Sequence, residues 1–223
     1  AACPECDSRP CICEAAPCDD CGNTPCTCGE KVVIKLSDGK TRQIKHVSSV
    51  MYWSPEGKPI TAREFVEQMF DDLPRFFENE DQLRDIWSTP DTRQKLLSDL
   101  AEAGYDDEKL DGMKELIDAR DSDVYDVLAY VAYQSETRTR SERASIASSS
   151  IRQAFADPKQ LEFIDFILDK YIEDGVNELA MSNIKSLATL KYDSVTDAAR
   201  VLGSTSVVKE TFVGFQRYLY QVP

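Results

Sequence analysis

Val124-Tyr125-Asp126-Val127-Leu128-Ala129-Tyr130-Val131-Ala132-Tyr133 is the stretch on which the reading of this chain turns. A surface helix shows one apolar stripe, whereas this run is apolar on nearly every side, the mark of a helix packed from several directions. Asp121, Ser122 and Asp123 precede it, offering N-cap side chains and negative charge at the positive end of a helix dipole. Ten residues cannot span a bilayer, so the stretch reads as a central core helix.

The remaining apolar patterns supply partners for that helix. Thr61 and Glu64 form a capping box ahead of Phe65, Val66, Met69 and Phe70, and Pro74 breaks or restarts the helix they begin. Asn79 and Gln82 offer a second box before Leu83, Ile86 and Trp87. Thr89-Pro90 opens a helix carrying Leu96, Leu97 and Leu100, with Gly104 at its end. Leu110, Met113, Leu116 and Ile117 mark a fourth. Beyond the central helix, Asp157-Pro158 starts a helix with Leu161, Ile164, Leu168 and Tyr171 in step, closed by Gly175. Ile184, Leu187 and Leu190 follow, then Val195, Ala198, Ala199 and Leu202 before Gly203. A last helix carries Val208, Phe212, Phe215 and Leu219, with Tyr218 and Tyr220 alongside. These patterns predict some eight helices.

Upstream the pattern changes to strands. Lys31–Leu36 reads as a strand, Asp38-Gly39 supplies hairpin turn chemistry, and the return strand is expected to run through Ile44 to about Trp53, ending at the turn 54–57. His46, the single histidine, falls in that strand without evident catalytic or ligating partners.

All eight cysteines lie in the first 28 positions, as a tandem unit. Cys3-x2-Cys6-x4-Cys11-x-Cys13 recurs as Cys18-x2-Cys21-x4-Cys26-x-Cys28, and Pro10 and Pro25 repeat in step. Close thiolate pairs suit tetrahedral Zn²⁺, so the pattern reads as two four-cysteine zinc sites, with the pairs held within each repeat or shared between them. A disulfide knot, a thiol-rich leader without metal and an iron–sulfur cluster are the competing readings. Cys-x-Cys is poor disulfide geometry, and nothing else signals an oxidising compartment. The segment is acidic: Arg9 stands alone against Glu5, Asp7, Glu14, Asp19, Asp20 and Glu30. Such a knuckle repels phosphate, which favours a structural or protein-docking role.

The whole chain shares that sign, with a net charge of −14 over 223 residues, so any nucleic-acid contact needs a local basic patch. The clearest one is Thr137–Arg152, which carries Arg138, Arg140, Arg143 and Arg152 and little apolar content. Arginine forks suit carboxylates and phosphates, so these four are candidate partner- or DNA-binding residues; otherwise the stretch is a solvated helix start or a connector. No phosphate loop, dinucleotide fingerprint, nucleophile elbow or His-Glu-x2-His pattern is present, and no active site can be argued. Signal-peptide and membrane-spanning runs are absent from the sequence, and a cytoplasmic protein is expected. The chain begins at Ala1 without methionine, which suggests a fragment of something larger.

Several blocks carry a family resemblance. Phe76–Trp87, Leu116–Ala132 and Gly214–Tyr220, supported by Tyr171–Leu179, Leu190–Tyr192 and Asp197–Ala199, resemble the C-terminal region of the motor (R) subunit of type I restriction enzymes, in the EcoEI-like branch. The resemblance covers roughly residue 31 to the end. It implies a helical module placed after nuclease and translocase domains that would hold the ATP and Mg²⁺, and contacts with methyltransferase and specificity subunits and, through the whole complex, with DNA. The doubled cysteine unit is no part of the common family pattern. The expected architecture is therefore mainly α: a zinc knuckle over 1–30, a β-hairpin linker over 31–60, and a helical domain over 61–223.

The cysteine spacing generates a direct test. Protein purified under reducing conditions should contain about two Zn²⁺ per chain by elemental analysis, and chelation should unfold residues 1–30 while the cysteine-free helical domain survives. Absence of metal, or a single melt of the whole chain on chelation, would rule this out.

Overall fold

In the computed structural model, residues 31–45, 51–53 and 58–221 are described. Their organising element is α5 (Val124–Tyr133), in which Val127, Leu128 and Val131 are wholly buried. Helices α1 (Ala62–Asp72), α2 (Glu80–Trp87) and α4 (Asp107–Leu116) pack directly on it, and α3 (Pro90–Glu102) packs on α2. Beyond α5 the chain forms α6 (Arg140–Ala154) and α7 (Pro158–Asp174), then single turns at Val176–Leu179 and Met181–Asn183. The elements α8 (Ile184–Tyr192), α9 (Val195–Leu202), α10 (Thr205–Gly214) and α11 (Gln216–Leu219) complete the domain. Among the described residues, no helix is long and apolar enough to cross a membrane.

Local chemistry accounts for most boundaries. The Thr61 backbone N–H donates to Glu64 Oε2 at 2.7 Å, while the Glu64 N–H donates to Thr61 Oγ1 at 3.2 Å, closing the expected box at α1. Pro74 turns the chain into a 3₁₀ turn at Leu73–Arg75. At α2 the box is only half made: Asn79 caps the Gln82 N–H, but Gln82 accepts from Glu78 rather than from Asn79. Gly175 and Gly203 end α7 and α9 at φ of 96° and 110°, where a Cβ would be strained.

The strands differ from expectation. β1 (Lys31–Lys35) and β2 (Thr41–Lys45) form one antiparallel hairpin, and β3 (Met51–Trp53) pairs with β4 (Pro59–Thr61) in a second. The expected single return strand is therefore divided among the described residues: Thr41–Lys45 pairs with β1, whereas Met51–Trp53 does not. Met51–Trp53 and Pro59–Thr61 flank the Ser-Pro-Glu-Gly turn chemistry and pair with each other across it. Tyr52 carries this second hairpin into the core, stacking on Phe65 at 4.3 Å.

The first hairpin is fastened to α5. Ile34, Leu36 and Ile44 are buried, and Arg42, 1% exposed, donates from Nε to the carbonyls of Tyr130 and Val131 at 2.7 and 3.0 Å. Its Nη2 reaches the Ala132 carbonyl at 3.2 Å. These oxygens belong to the last turn of α5, at the negative end of its dipole; the Tyr130 carbonyl also accepts from the Gln134 N–H at 2.9 Å, whereas those of Val131 and Ala132 lie beyond that last helical bond. The Tyr130 hydroxyl adds bonds in both directions to the Gln43 backbone, each 2.9 Å.

Three helical expectations need correction. Thr137–Arg152 is no connector: Arg140–Ala154 is a full helix, opened by a Thr139–Glu142 capping box and burying Ala144, Ala147 and Ile151. The C-terminal helix is two pieces, α10 and α11, parted at Phe215. Gly214 precedes the break, and a Cβ there would meet the Phe155 ring at 3.2 Å, so close packing at a weak helix former accompanies the change of axis. Leu190 stands 64% exposed, outside the core.

The buried centre of α5 sets the expectation for stability. Leu128→Ala should cost about 2–5 kcal/mol, read from denaturant unfolding, because the cavity it leaves cannot collapse between three helices. A loss under about 0.5 kcal/mol would mean that the side chain is not packed.

Candidate functional site

The arginine-bearing segment is where sequence reasoning places a contact site, and its residues follow different fates. Helix α6 is held at its start by the bridge between Ser122 and Thr139 and by the Arg140 N–H, which donates to the Asp121 carbonyl at 2.8 Å. One turn later, Arg143 points inward. It is 4% exposed, with Nη2 donating to Asp126 Oδ1 at 2.7 Å and Nη1 to the Leu219 carbonyl at 3.2 Å. Its guanidinium lies over the rings of Tyr125 and Tyr220, 5.2 and 4.7 Å from their centroids. Arg143, a candidate contact residue by sequence, therefore lies in the core and not on an open surface. A charge can enter the core here because Asp126, inside the apolar run of α5, needs a cation.

Around this pair the polar groups close on one another. Asp126 Oδ1 also accepts from the Arg138 N–H, and Oδ2 accepts from the Asp123 N–H, both at 3.0 Å. Asp123 Oδ2 accepts from the hydroxyls of Tyr171 and Tyr220 at 2.6 and 2.7 Å and lies 3.9 Å from Arg143 Nε. A further buried cation, Arg93, donates to the carbonyls of Trp87 and Leu179 and to Gln216 Oε1 at 2.9–3.0 Å. Gln216 in turn donates to the Leu179 and Phe212 carbonyls. Arg143 and Arg93 thus share this part of the interior with two carboxylates, apart from Arg42 at the other end of α5.

Protonation follows from burial and from these partners. Burial pushes the Asp126 carboxyl up, and Arg143 opposes it. Burial alone would lower Arg143, but Asp126 and the neighbouring tyrosines and Asp123 hold it above its ordinary value. The ionised pair is the ground state we adopt, because one guanidinium and two backbone N–H groups converge on that carboxylate. Burial drives Tyr171 and Tyr220 well up, so both remain hydroxyl donors to Asp123.

The other three arginines do not assemble into a patch. Arg140 is half-buried, bonding the carbonyls of Ile172 at 3.1 Å and Ser122 at 3.3 Å. Arg138 is half-buried beside a cavity of about 200 Å³ whose lining also holds Glu80, Asp126 and Glu136. Arg152 is exposed and pairs with Asp165 at 3.4 Å. Sequence reasoning missed Asp123, Asp126, Tyr171, Tyr220 and Arg93. The available signal was Asp126 itself, an acid in a run otherwise built for burial. The candidate zinc ligands, Cys3, Cys6, Cys11, Cys13, Cys18, Cys21, Cys26 and Cys28, lie outside the described residues, as does His46. Among the described residues no cluster of three His, Cys, Asp or Glu side chains could hold a metal ion.

Removing one member of the node should be costly because its partners stay buried. Arg143→Met should destabilise the domain by roughly 3–5 kcal/mol. Asp126→Asn in that background should recover part of the loss, so a double-mutant cycle in denaturant should show coupling between the two. Additive effects would show that the pair is not coupled.

With the geometry in place, comparison with known proteins gives the chain a family. The family described as EcoEI R protein C-terminal matches residues 63–220, from the first turn of α1 to Tyr220 of the node. The chain is also 24% identical over 179 residues to the type I restriction enzyme EcoAI endonuclease subunit of Escherichia coli. That alignment covers 78% of this chain and 21% of the relative, so the chain spans about a fifth of that protein. No solved structure matches. Every group of the buried node falls inside the matched region, and the chain belongs to the EcoEI R protein C-terminal family of type I restriction enzyme subunits.

Proposed function

We propose that this chain is a non-catalytic assembly module of a type I restriction R subunit. In this reading it docks the ATP-dependent translocase and nuclease of its parent subunit onto the methyltransferase and specificity subunits in the cytoplasm. ATP and Mg²⁺ act in other domains of the parent, and the cysteine repeat holds zinc as a structural element. The observation that carries the docking reading is the use of the arginines. Arg143 is inside the core, Arg140 holds backbone carbonyls and Arg152 is paired with Asp165. A chain of net charge −14 that engages its most basic segment internally is poorly suited to grip phosphates. Contact with protein surfaces suits it better.

The docking reading and its alternative, a DNA-contacting module acting through Arg138, Arg140, Arg143 and Arg152, make different predictions, the docking reading's first. The chain should co-elute with the methyltransferase–specificity complex encoded by the same genome, and Arg138→Glu with Arg152→Glu should leave that assembly intact. Failure to co-elute would sink the docking reading. DNA cleavage by the parent subunit that falls and becomes more salt-sensitive in this double variant would favour the DNA-contacting alternative.

A further inference from the structure

A groove of about 590 Å³ runs between α3, the start of α4 and the turn at Val176–Leu179. Leu97 and Ala101 on α3 face it from one side, Val176 and Ala180 from the other, and all four retain accessible surface. Arg93 lies beneath, 3% exposed, with its guanidinium held by the Trp87 and Leu179 carbonyls and Gln216. It therefore brings little accessible positive charge to the opening. At the rim stand Asp107 and Glu108, both exposed, beside Asp106, the N-cap of α4. An apolar floor under an acidic rim has a definite complement.

We propose that this groove docks a partner-protein segment with an apolar anchor flanked by lysine or arginine. The segment's side chain covers Leu97, Ala101, Val176 and Ala180, and its cations face Asp107 and Glu108. Charge excludes the nearer occupants. A second copy of a chain at −14 meets the rim with like charge, and residues 1–30 carry Arg9 alone against six acids. Nucleic-acid phosphates are repelled in the same way. The identity of the partner, a subunit of the methyltransferase complex, rests on the docking reading; the chemistry of the segment does not.

The test uses the whole chain and two short helix-forming peptides, one of leucine and lysine, the other of leucine and glutamate. On titration with the leucine–lysine peptide, backbone amide shifts should cluster at residues 97–108 and 176–180. The leucine–glutamate peptide should produce none. Ala101→Arg, an exposed change on α3, should weaken the lysine peptide by at least about tenfold, since it places bulk and like charge in the groove. Asp107→Lys with Glu108→Lys should weaken it similarly, while Arg152→Glu on α6 should not. Circular dichroism verifies that each variant folds. Shifts spread over the whole acidic surface, indifference to Ala101→Arg, or self-association through this face in ultracentrifugation would overturn the inference. Against the methyltransferase–specificity complex the two readings separate. Equal co-elution of wild type and Ala101→Arg removes the groove and leaves docking in place. No co-elution of wild type removes docking, and the groove is then decided by the peptides.

Discussion

Burying Asp126 in the first turn of α5 is the constraint on which the helical packing depends. A carboxylate in an apolar interior is tolerated only when donors and a cation reach it, and no single helix can supply them all. Here α6 brings Arg143, the approach to α6 brings the Arg138 N–H, and α5 folds the Asp123 N–H back onto its own third residue. Asp123 extends the demand outward, drawing the Tyr171 hydroxyl from α7 and the Tyr220 hydroxyl from the residue after α11. Apolar side chains tolerate rotation and sliding, but directed hydrogen bonds do not. The node therefore selects one arrangement of α5, α6, α7 and the C-terminal turn among those that burial alone would permit.

The two ends of α5 are treated by the same electrostatic rule. Carboxylates gather at its N-terminus, where unpaired N–H groups leave positive potential. At the C-terminus Arg42 lies across the last carbonyls, and the guanidinium arrives from a β-hairpin some ninety residues earlier in the chain. The hairpin is thus tied to the core by charge–dipole contact as well as by Ile34 and Ile44. The aromatic rings of Trp87, Tyr125 and Tyr220, with centroids 5.2–6.4 Å apart, pack around the other end.

Much of this was legible in the residues, and the remainder was hidden for identifiable reasons. The apolar run of α5, the Thr61–Glu64 box and the glycine stops at 175 and 203 act through local geometry, and the sequence states local geometry directly. Arg143 was misplaced because its environment is entirely non-local: Asp126, Tyr220 and Leu219 lie up to 77 positions away, and composition made the stretch look solvated. A local clue was present in Thr139-x-x-Glu142 with Ala144, Ala147 and Ile151 behind it, a capped helix whose buried face includes two alanines. Small residues give little apolar signal yet allow close approach to α7 and α11. The split at Phe215 and the exposure of Leu190 were also beyond periodicity, since both depend on which neighbour occupies the space alongside.

The charge distribution joins structure to role. If the four arginines of Thr137–Arg152 had met on one face, an acidic protein would have carried a local anchor for phosphates. Instead Arg143 neutralises a buried acid, Arg140 satisfies carbonyls at α7 and before α5, Arg152 answers Asp165 on the surface, and Arg138 lines a small cavity with Glu80, Asp126 and Glu136. Basic residues spent on internal cohesion leave the acidic groups to set the external field. An acidic field discourages non-specific residence on DNA. The docking proposed above then calls for a surface where apolar contact adds to charge attraction. The groove beside α3 offers both, and its arginine is turned away from the opening by three acceptors of the core.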